Sequence, residues 1–419
     1  MLRFVGSIYS CIFLVIFLSV ADIALGHRGL LPAGATVCAL LGLLPIATSE
    51  LLRNAFSGSR SCVPPSLRDN AYPLLALGLI ATCALLLSIL PEAYWSEDGK
   101  WIFLIPYGCL ISLVSVTASG SRSIRGALPF ASLVSLALLL WSISCDLTTP
   151  GTFSAATERA AGFSGNANYT ALVTVMVCAA SLDYDVRRPL FIDLLFLLLS
   201  ASIVFISLSR SGMLNLLLLI VGFVTIRLFR ARPRPRRARS SVASILAVAL
   251  LLLTLSPLFA TQISALTEQS RFKRALSGRQ IDDGSAASRL AAAQDALRRI
   301  NDAPLVGHGT GYARRMPELP HNLYLQQWVN NGVPGLLSYI AFLLVSLGTF
   351  FARRYYAGVM LMVAACVGSF FSHNILDQRP FLILYGLLLG ISSHRAPNPA
   401  NSRYPVVACE IPKRANTLS

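Results

Sequence analysis

Charge is scarce in this chain. Only 13% of its residues are Asp, Glu, Lys or Arg, against roughly 25% in a soluble domain. Lysine is rarer still. Lys100, Lys273 and Lys413 are the whole complement, so arginine carries nearly all of a net charge of +16. The nine cysteines form no Cys-x-x-Cys pair, which speaks against a zinc site or a disulfide framework. Cys11, Cys38, Cys83, Cys109, Cys178 and Cys366 sit inside apolar runs and read as small polarizable packing residues. No P-loop, Gly-x-Gly-x-x-Gly or aspartate-rich motif is present. Nucleotide-driven chemistry is therefore not expected, and neither a cofactor nor a metal is called for.

What is abundant is apolar sequence. Hydrophobic residues make up 55% of the chain, and the mean hydropathy is +0.64. Runs of about 20 apolar residues recur, the length that crosses a bilayer as a helix. Twelve spans are expected, near 4–25, 30–48, 71–91, 101–118, 127–146, 167–183, 189–207, 211–227, 241–259, 333–352, 356–372 and 380–393. The fold class is all-α: a polytopic membrane protein of about twelve transmembrane helices. The first run could imitate a signal peptide, with "ALG" at 24–26 as a cleavage site. It is longer than a usual signal core and a second span follows at once, so an uncleaved first helix is expected.

The basic residues cluster in short loops, as an orientation signal does, and not in a patch for nucleic acid. "RLFRARPRPRRARSS" (227–241) holds seven arginines and is the strongest cytoplasmic signal. Counting outward, the 49–70 loop, "SRSIRG" (121–126), "DVRRP" (185–189), Arg353 with Arg354, and both termini fall on the cytoplasmic side. The acidic "PEAYWSEDGK" (91–100) falls outside. Residues 260–320 also fall outside, despite nine basic and six acidic residues, because long loops translocate largely regardless of charge. The expected organisation is a membrane bundle of nine spans (1–259), a periplasmic loop (260–332), three further spans (333–393) and a cytoplasmic tail (394–419). Within the loop, Leu290, Ala293, Leu297 and Ile300 recur at helical spacing, with Arg289, Asp295, Arg298 and Arg299 off that stripe. This reads as an amphipathic helix lying on the membrane or on the bundle.

Some polar residues need explaining. His321 and Asn322 stand just ahead of span ten. Asn322 is either a helix cap or a holder of the imidazole tautomer, and a positioned imidazole is the commonest general base near neutral pH. Arg159 lies in an outer loop entering span six, where it is either a headgroup contact or a ligand-binding group. Arg210, in "SLSRSG", has almost no loop to hold it in water, so it is expected to face the bundle interior or a polar cavity. Arg289 belongs to the amphipathic helix and could be a solvated charge. Taken together, three arginines and a histidine on one face suit a phosphorylated or pyrophosphorylated lipid, because guanidinium binds phosphate bidentately and stays charged.

These residues resemble the O-antigen ligase and polymerase superfamily of bacterial inner-membrane glycosyltransferases. His321-Asn322, nine residues, then Gly332-Val333-Pro334-Gly335 matches its ligase pattern. Arg289, followed fifteen residues later by Pro304-Leu305-Val306-Gly307-His308-Gly309, matches its loop pattern. "ERAAGFSGNANYTA" resembles its Arg-x-x-Gly-x-Phe block at Arg159, and "SLSRSG" its Ser-Arg-Gly block at Arg210. The 155–171 block departs from the pattern, with "NANY" where the family often has Pro-Asn. The resemblance implies transfer of a glycan from an undecaprenyl pyrophosphate donor to lipid A–core, or to another glycan acceptor, on the periplasmic face of the inner membrane. It implies His321 as base, Arg159, Arg210 and Arg289 as pyrophosphate ligands, and Asn322, Gly332, Gly335, Gly307 and Gly309 as supporting residues. A polymerase of O-antigen, capsule or exopolysaccharide units is the near alternative, and a polysaccharide-lipid transporter a more distant one.

Overall fold

A computed structural model describes residues 2–27, 35–56, 65–90, 100–149, 152–153, 160–231 and 284–394. The expected span at 241–259, most of the arginine-rich 227–241 segment, the acidic 91–99 segment, the first part of the 260–332 loop, the tail from 395 and Arg159 lie outside the described residues.

Among the described residues every regular element is helical. The α-helices are α1 (Leu2–Leu18), α2 (Ala21–His27), α3 (Ala35–Phe56), α4 (Pro65–Arg68), α5 (Ala71–Leu86), α6 (Lys100–Ala118) and α7 (Arg122–Thr148). They continue as α8 (Ala167–Ser181), α9 (Leu190–Ile206), α10 (Arg210–Ala231), α11 (Gly284–Asp302), α12 (Leu323–Ala352), α13 (Tyr356–Gly368) and α14 (Arg379–Ser393). Each expected span other than 241–259 falls on a helix. Among the described residues, four stretches are long and apolar enough to cross a membrane: Ala71–Ile89, Arg122–Thr148, Arg210–Arg230 and Leu323–Ala352. Six shorter apolar helices accompany them. The first expected span is two helices, because the chain breaks at Val20, whose φ is +60°.

Small residues let the helices approach closely, as membrane helices do where lipid gives no hydrophobic drive to associate. α14 lays Gly386 and Gly390 against α6. A Cβ on Gly390 would come 2.7 Å from Val116 O, and one on Gly386 2.6 Å from Ser115 Cβ. Many large apolar side chains face outward, among them Leu75, Ile89, Phe191 and Phe351, which suits a lipid solvent. The charged pair Asp193–Arg227 is buried between α9 and α10 at 2.5 Å.

The element that positions the site is the break in α12. Gly332 has φ +60° and ψ −157°, a conformation essentially reserved for glycine. Pro334, two residues on, has no N–H to give to Asn330 O. The freed groups are satisfied by the 303–311 segment. His308 N donates to Val329 O (3.0 Å), Gly309 N donates to Asn330 O (2.8 Å), and Val333 N donates to Pro304 O (3.2 Å). Trp328 Nε1 adds a bond to Pro304 O at 3.1 Å. Pro304-x-x-Gly307-x-Gly309 and Gly332-x-x-Gly335 are therefore two halves of one joint. Gly307 (φ +74°) sits so close that a Cβ would lie 2.5 Å from Gly332 N.

The adjacent asparagines complete this joint. Asn330 Oδ1 accepts from Ala313 N at 2.8 Å. Asn331 Oδ1 lies 2.9 Å from the Thr310 hydroxyl, and that hydroxyl also reaches Ala84 O of α5 at 2.5 Å. α11 packs against α12, burying Ala292, Ala296 and Ile300. Of the expected apolar stripe, Ile300 is on the packed face, while Leu290 and Leu297 are exposed. Close approach to α12 selects the alanines, and the leucines are left to point away.

Candidate active site

α12 begins at Leu323 and is capped by Asn322, whose Oδ1 accepts from Tyr324 N (2.9 Å) and Leu325 N (3.2 Å). Of the two roles open to Asn322, the cap is the one its oxygen fills. The start of α12 is held against the end of α13 by Leu323 N donating to Ser369 O at 2.8 Å. The Tyr324 hydroxyl donates to Cys366 O at 3.1 Å. This docking brings His321 beside His373, which follows α13, with ring centroids 5.4 Å apart.

From the other side, α11 reaches the same place. Ser288 Oγ donates to Glu318 Oε2 at 2.6 Å, linking the residue before Arg289 to the segment that leads into His321. His321 is exposed along one face. Partial burial, and then the Arg289 guanidinium, hold its pKa below the usual imidazole value, with Glu318 opposing. The ring is neutral at pH 7 and able to accept a proton. Its neighbour His373 is pushed down to about 4 by burial, His321 and Arg314, and is neutral as well.

The sign of these shifts gives an expected pH profile. A depressed histidine pKa keeps the base form present as pH falls, until the lowered value is crossed. The acid limb of kcat is therefore expected below about 6.5, the free imidazole value. Arg289→Gln is expected to move it upward. A wild-type limb at or above that value contradicts the assignment, as does a limb unmoved by Arg289→Gln.

Arg210 is the first residue of α10 and is exposed, so of the two expected settings it does not take the bundle interior. It does share the His321 end of the bundle. Gly212 is packed on Ala171 of α8, and Leu172, the next residue, lies against Gly368 of α13. Ser209 Oγ donates to Asn168 Oδ1 at 2.9 Å. The turn just after Arg159 belongs to that end too, anchored by Gly162 N donating to Asp146 Oδ2 at 2.7 Å. Gly307, Gly309, Gly332 and Gly335 contribute backbone geometry beneath His321.

Sequence reasoning left His373, Gln326, Arg314 and Asp377 unassigned. Arg314 pairs with Asp377 at 3.6 Å, and Arg379 with Asp22 at 2.5 Å. Asp377 is pushed up to about 7 by burial, against Arg314 and Arg379. The span count that puts His321 on the outer side puts His373 there too, and that shared sidedness was the one signal the sequence held.

The family model described as O-antigen ligase matches residues 195–340. The match takes in Arg210, Arg289, His321, Asn322 and all four glycines of the joint; Arg159 lies before it. No curated protein matches the chain.

Proposed function

We propose that this chain, whose residues 195–340 match the O-antigen ligase family model, is an O-antigen ligase. It transfers a glycan from undecaprenyl pyrophosphate to lipid A–core on the periplasmic face of the inner membrane. The family and the apolar helices carry the coarser statement, a multi-pass membrane protein acting on a lipid-linked glycan and a glycan acceptor. The finer reading rests on one observation: a neutral His321, lowered by partial burial and Arg289, at the start of a helix broken and clamped by the glycine joint.

In this reading the acceptor hydroxyl attacks the anomeric carbon of the donor. The new C–O bond forms as the bond to the pyrophosphate oxygen breaks, and the pyrophosphate leaves with the electron pair. His321 takes the hydroxyl proton. Arg159, Arg210 and Arg289 balance the charge growing on the leaving group, and single displacement inverts the anomeric centre. Both substrates are lipids, so their reactive ends meet just above the hydrocarbon. That is where a residue at the start of α12 stands if twelve spans put residues 260–332 in the periplasm and both termini in the cytoplasm. The domain boundaries at 259, 332 and 393 follow from the same topology.

A lipopolysaccharide gel of a deletion strain tests this. The expected result is core with no attached polysaccharide, while finished chains accumulate on undecaprenyl pyrophosphate. A band one repeat above the core identifies a polymerase instead. An unchanged ladder moves the same chemistry to capsule or exopolysaccharide.

A further inference from the structure

Beside His321 lies a recess of about 30 Å³, lined by Gln326, Arg314, His373 and Asp377 among others. A water-sized group needs about 10–15 Å³, so the recess holds one or two such groups and no pyrophosphate. Most of its polar wall is occupied. Asn331 Nδ2 donates to Gln327 Oε1 at 3.1 Å, and Asn330 and Asn331 hold the loop. Two atoms are different. Gln326 Oε1 and His373 Nδ1 are buried and have no hydrogen-bond partner among the described residues. Gln326 as a whole is only 8% exposed. Native proteins rarely leave a buried acceptor empty.

The chemistry of these atoms selects the ligand. An amide oxygen can only accept, so its partner must donate. A pyrophosphate diester has no proton to give, and a cation would meet Arg314, whose charge already takes up the Asp377 carboxylate at 3.6 Å. A hydroxyl can donate to Gln326 Oε1 and still accept from a neighbour. His373, held neutral by burial, adds no charge that would favour an anion.

We propose that this recess seats one hydroxyl of a sugar beside the reacting centre, with Gln326 as the residue that reads it. The inference rests on the glycan-transfer reading above. The hydroxyl belongs either to the acceptor sugar or to the donor sugar next to the pyrophosphate, and the measurement below separates the two.

The test uses the purified full-length chain in detergent, with an undecaprenyl pyrophosphate-linked glycan and lipid A–core. Gln326→Met keeps the shape and removes the acceptor; Gln326→Glu keeps an acceptor. Gln326→Met is expected to raise the KM of one glycan substrate about tenfold, the worth of one hydrogen bond, and to leave kcat and the other KM in place. Gln326→Glu is expected to stay within about threefold of wild type. A raised KM for lipid A–core assigns the hydroxyl to the acceptor; a raised KM for the pyrophosphate-linked glycan assigns it to the donor. Inhibition by inorganic pyrophosphate is expected to be unchanged. Unchanged KM values in Gln326→Met mean that the recess holds only water, and overturn the proposal. Equal impairment of Gln326→Glu, or weakened pyrophosphate inhibition, overturns it too. If Gln326→Met does not fold, His373→Phe must raise the same kind of KM or the proposal fails. His321→Ala in the same assay keeps the two readings apart: if it abolishes transfer while Gln326→Met changes nothing, only the hydroxyl subsite is lost.

Discussion

His321→Ala is expected to abolish glycan transfer while leaving the chain in the membrane. The ring is exposed on one face and packed beside His373 on the other. Its removal takes away the group proposed to receive the acceptor proton and little of the fold's support. Loss of a positioned general base costs on the order of 10²–10⁴ in rate. The α12 cap survives, because it is made by Asn322 and not by His321. Normal abundance together with kcat lowered by at least about a hundredfold is the outcome that fits. Near-normal turnover would leave the Pro-His-Asn segment with only its role as the start of a helix.

Gly332→Ala is expected to be as damaging by a different route. Its backbone lies in a region where only glycine is at ease, and a strain of about 1–3 kcal/mol applies there before any clash. A Cβ would also overlap Leu305 O and come within 2.6 Å of the Val306 carbonyl carbon. The 303–311 segment would be pushed off the break, exposing Val329 O and Asn330 O and releasing the loop that carries Arg289 toward His321. Both thermal stability in detergent and transfer should fall. Gly348→Ala, further along α12, is the control: a Cβ there meets nothing within 4 Å, and alanine is the better helix former by about 1 kcal/mol. If Gly332→Ala behaves like Gly348→Ala, the joint does not organise the site.

Much of the fold was legible because hydrophobic runs of membrane length are a local signal. The apolar runs at 101–118, 189–207 and 380–393 coincide, as helices, with α6, α9 and α14 to within a residue or two. Span ten was not legible in full. Its helix, α12, begins at Leu323, ahead of the apolar run expected at 333–352. The stretch Gln326-Gln327-Trp328-Val329-Asn330-Asn331 is polar because Asn330 and Asn331 bind a loop and Gln326 and Gln327 line the recess beside them, not because the helix is absent. Both glycine patterns could be read as motifs. That Gly307 rests on Gly332 could not, since nothing local in either pattern names its partner. The apolar stripe of α11 supplies Ile300 to the contact with α12, but Ala292 and Ala296 lie off it, because close helix contact favours small residues that hydrophobic spacing does not single out. Arg210, expected to face the bundle interior or a polar cavity, lies at an exposed helix start and not in the interior. His373 was out of reach for a simpler reason: α13 must fold back before residues 321 and 373 can meet.

The central claim is bond formation at His321 from a lipid pyrophosphate to a glycolipid acceptor. The most direct measurement is transfer by the purified chain, following undecaprenyl pyrophosphate release and extended lipid A–core together. The account predicts one released pyrophosphate lipid for each extended acceptor in wild type, and neither product with His321→Ala. Extension of a second undecaprenyl-linked glycan with lipid A–core untouched would contradict the ligase assignment, and equal product from His321→Ala would contradict the mechanism itself.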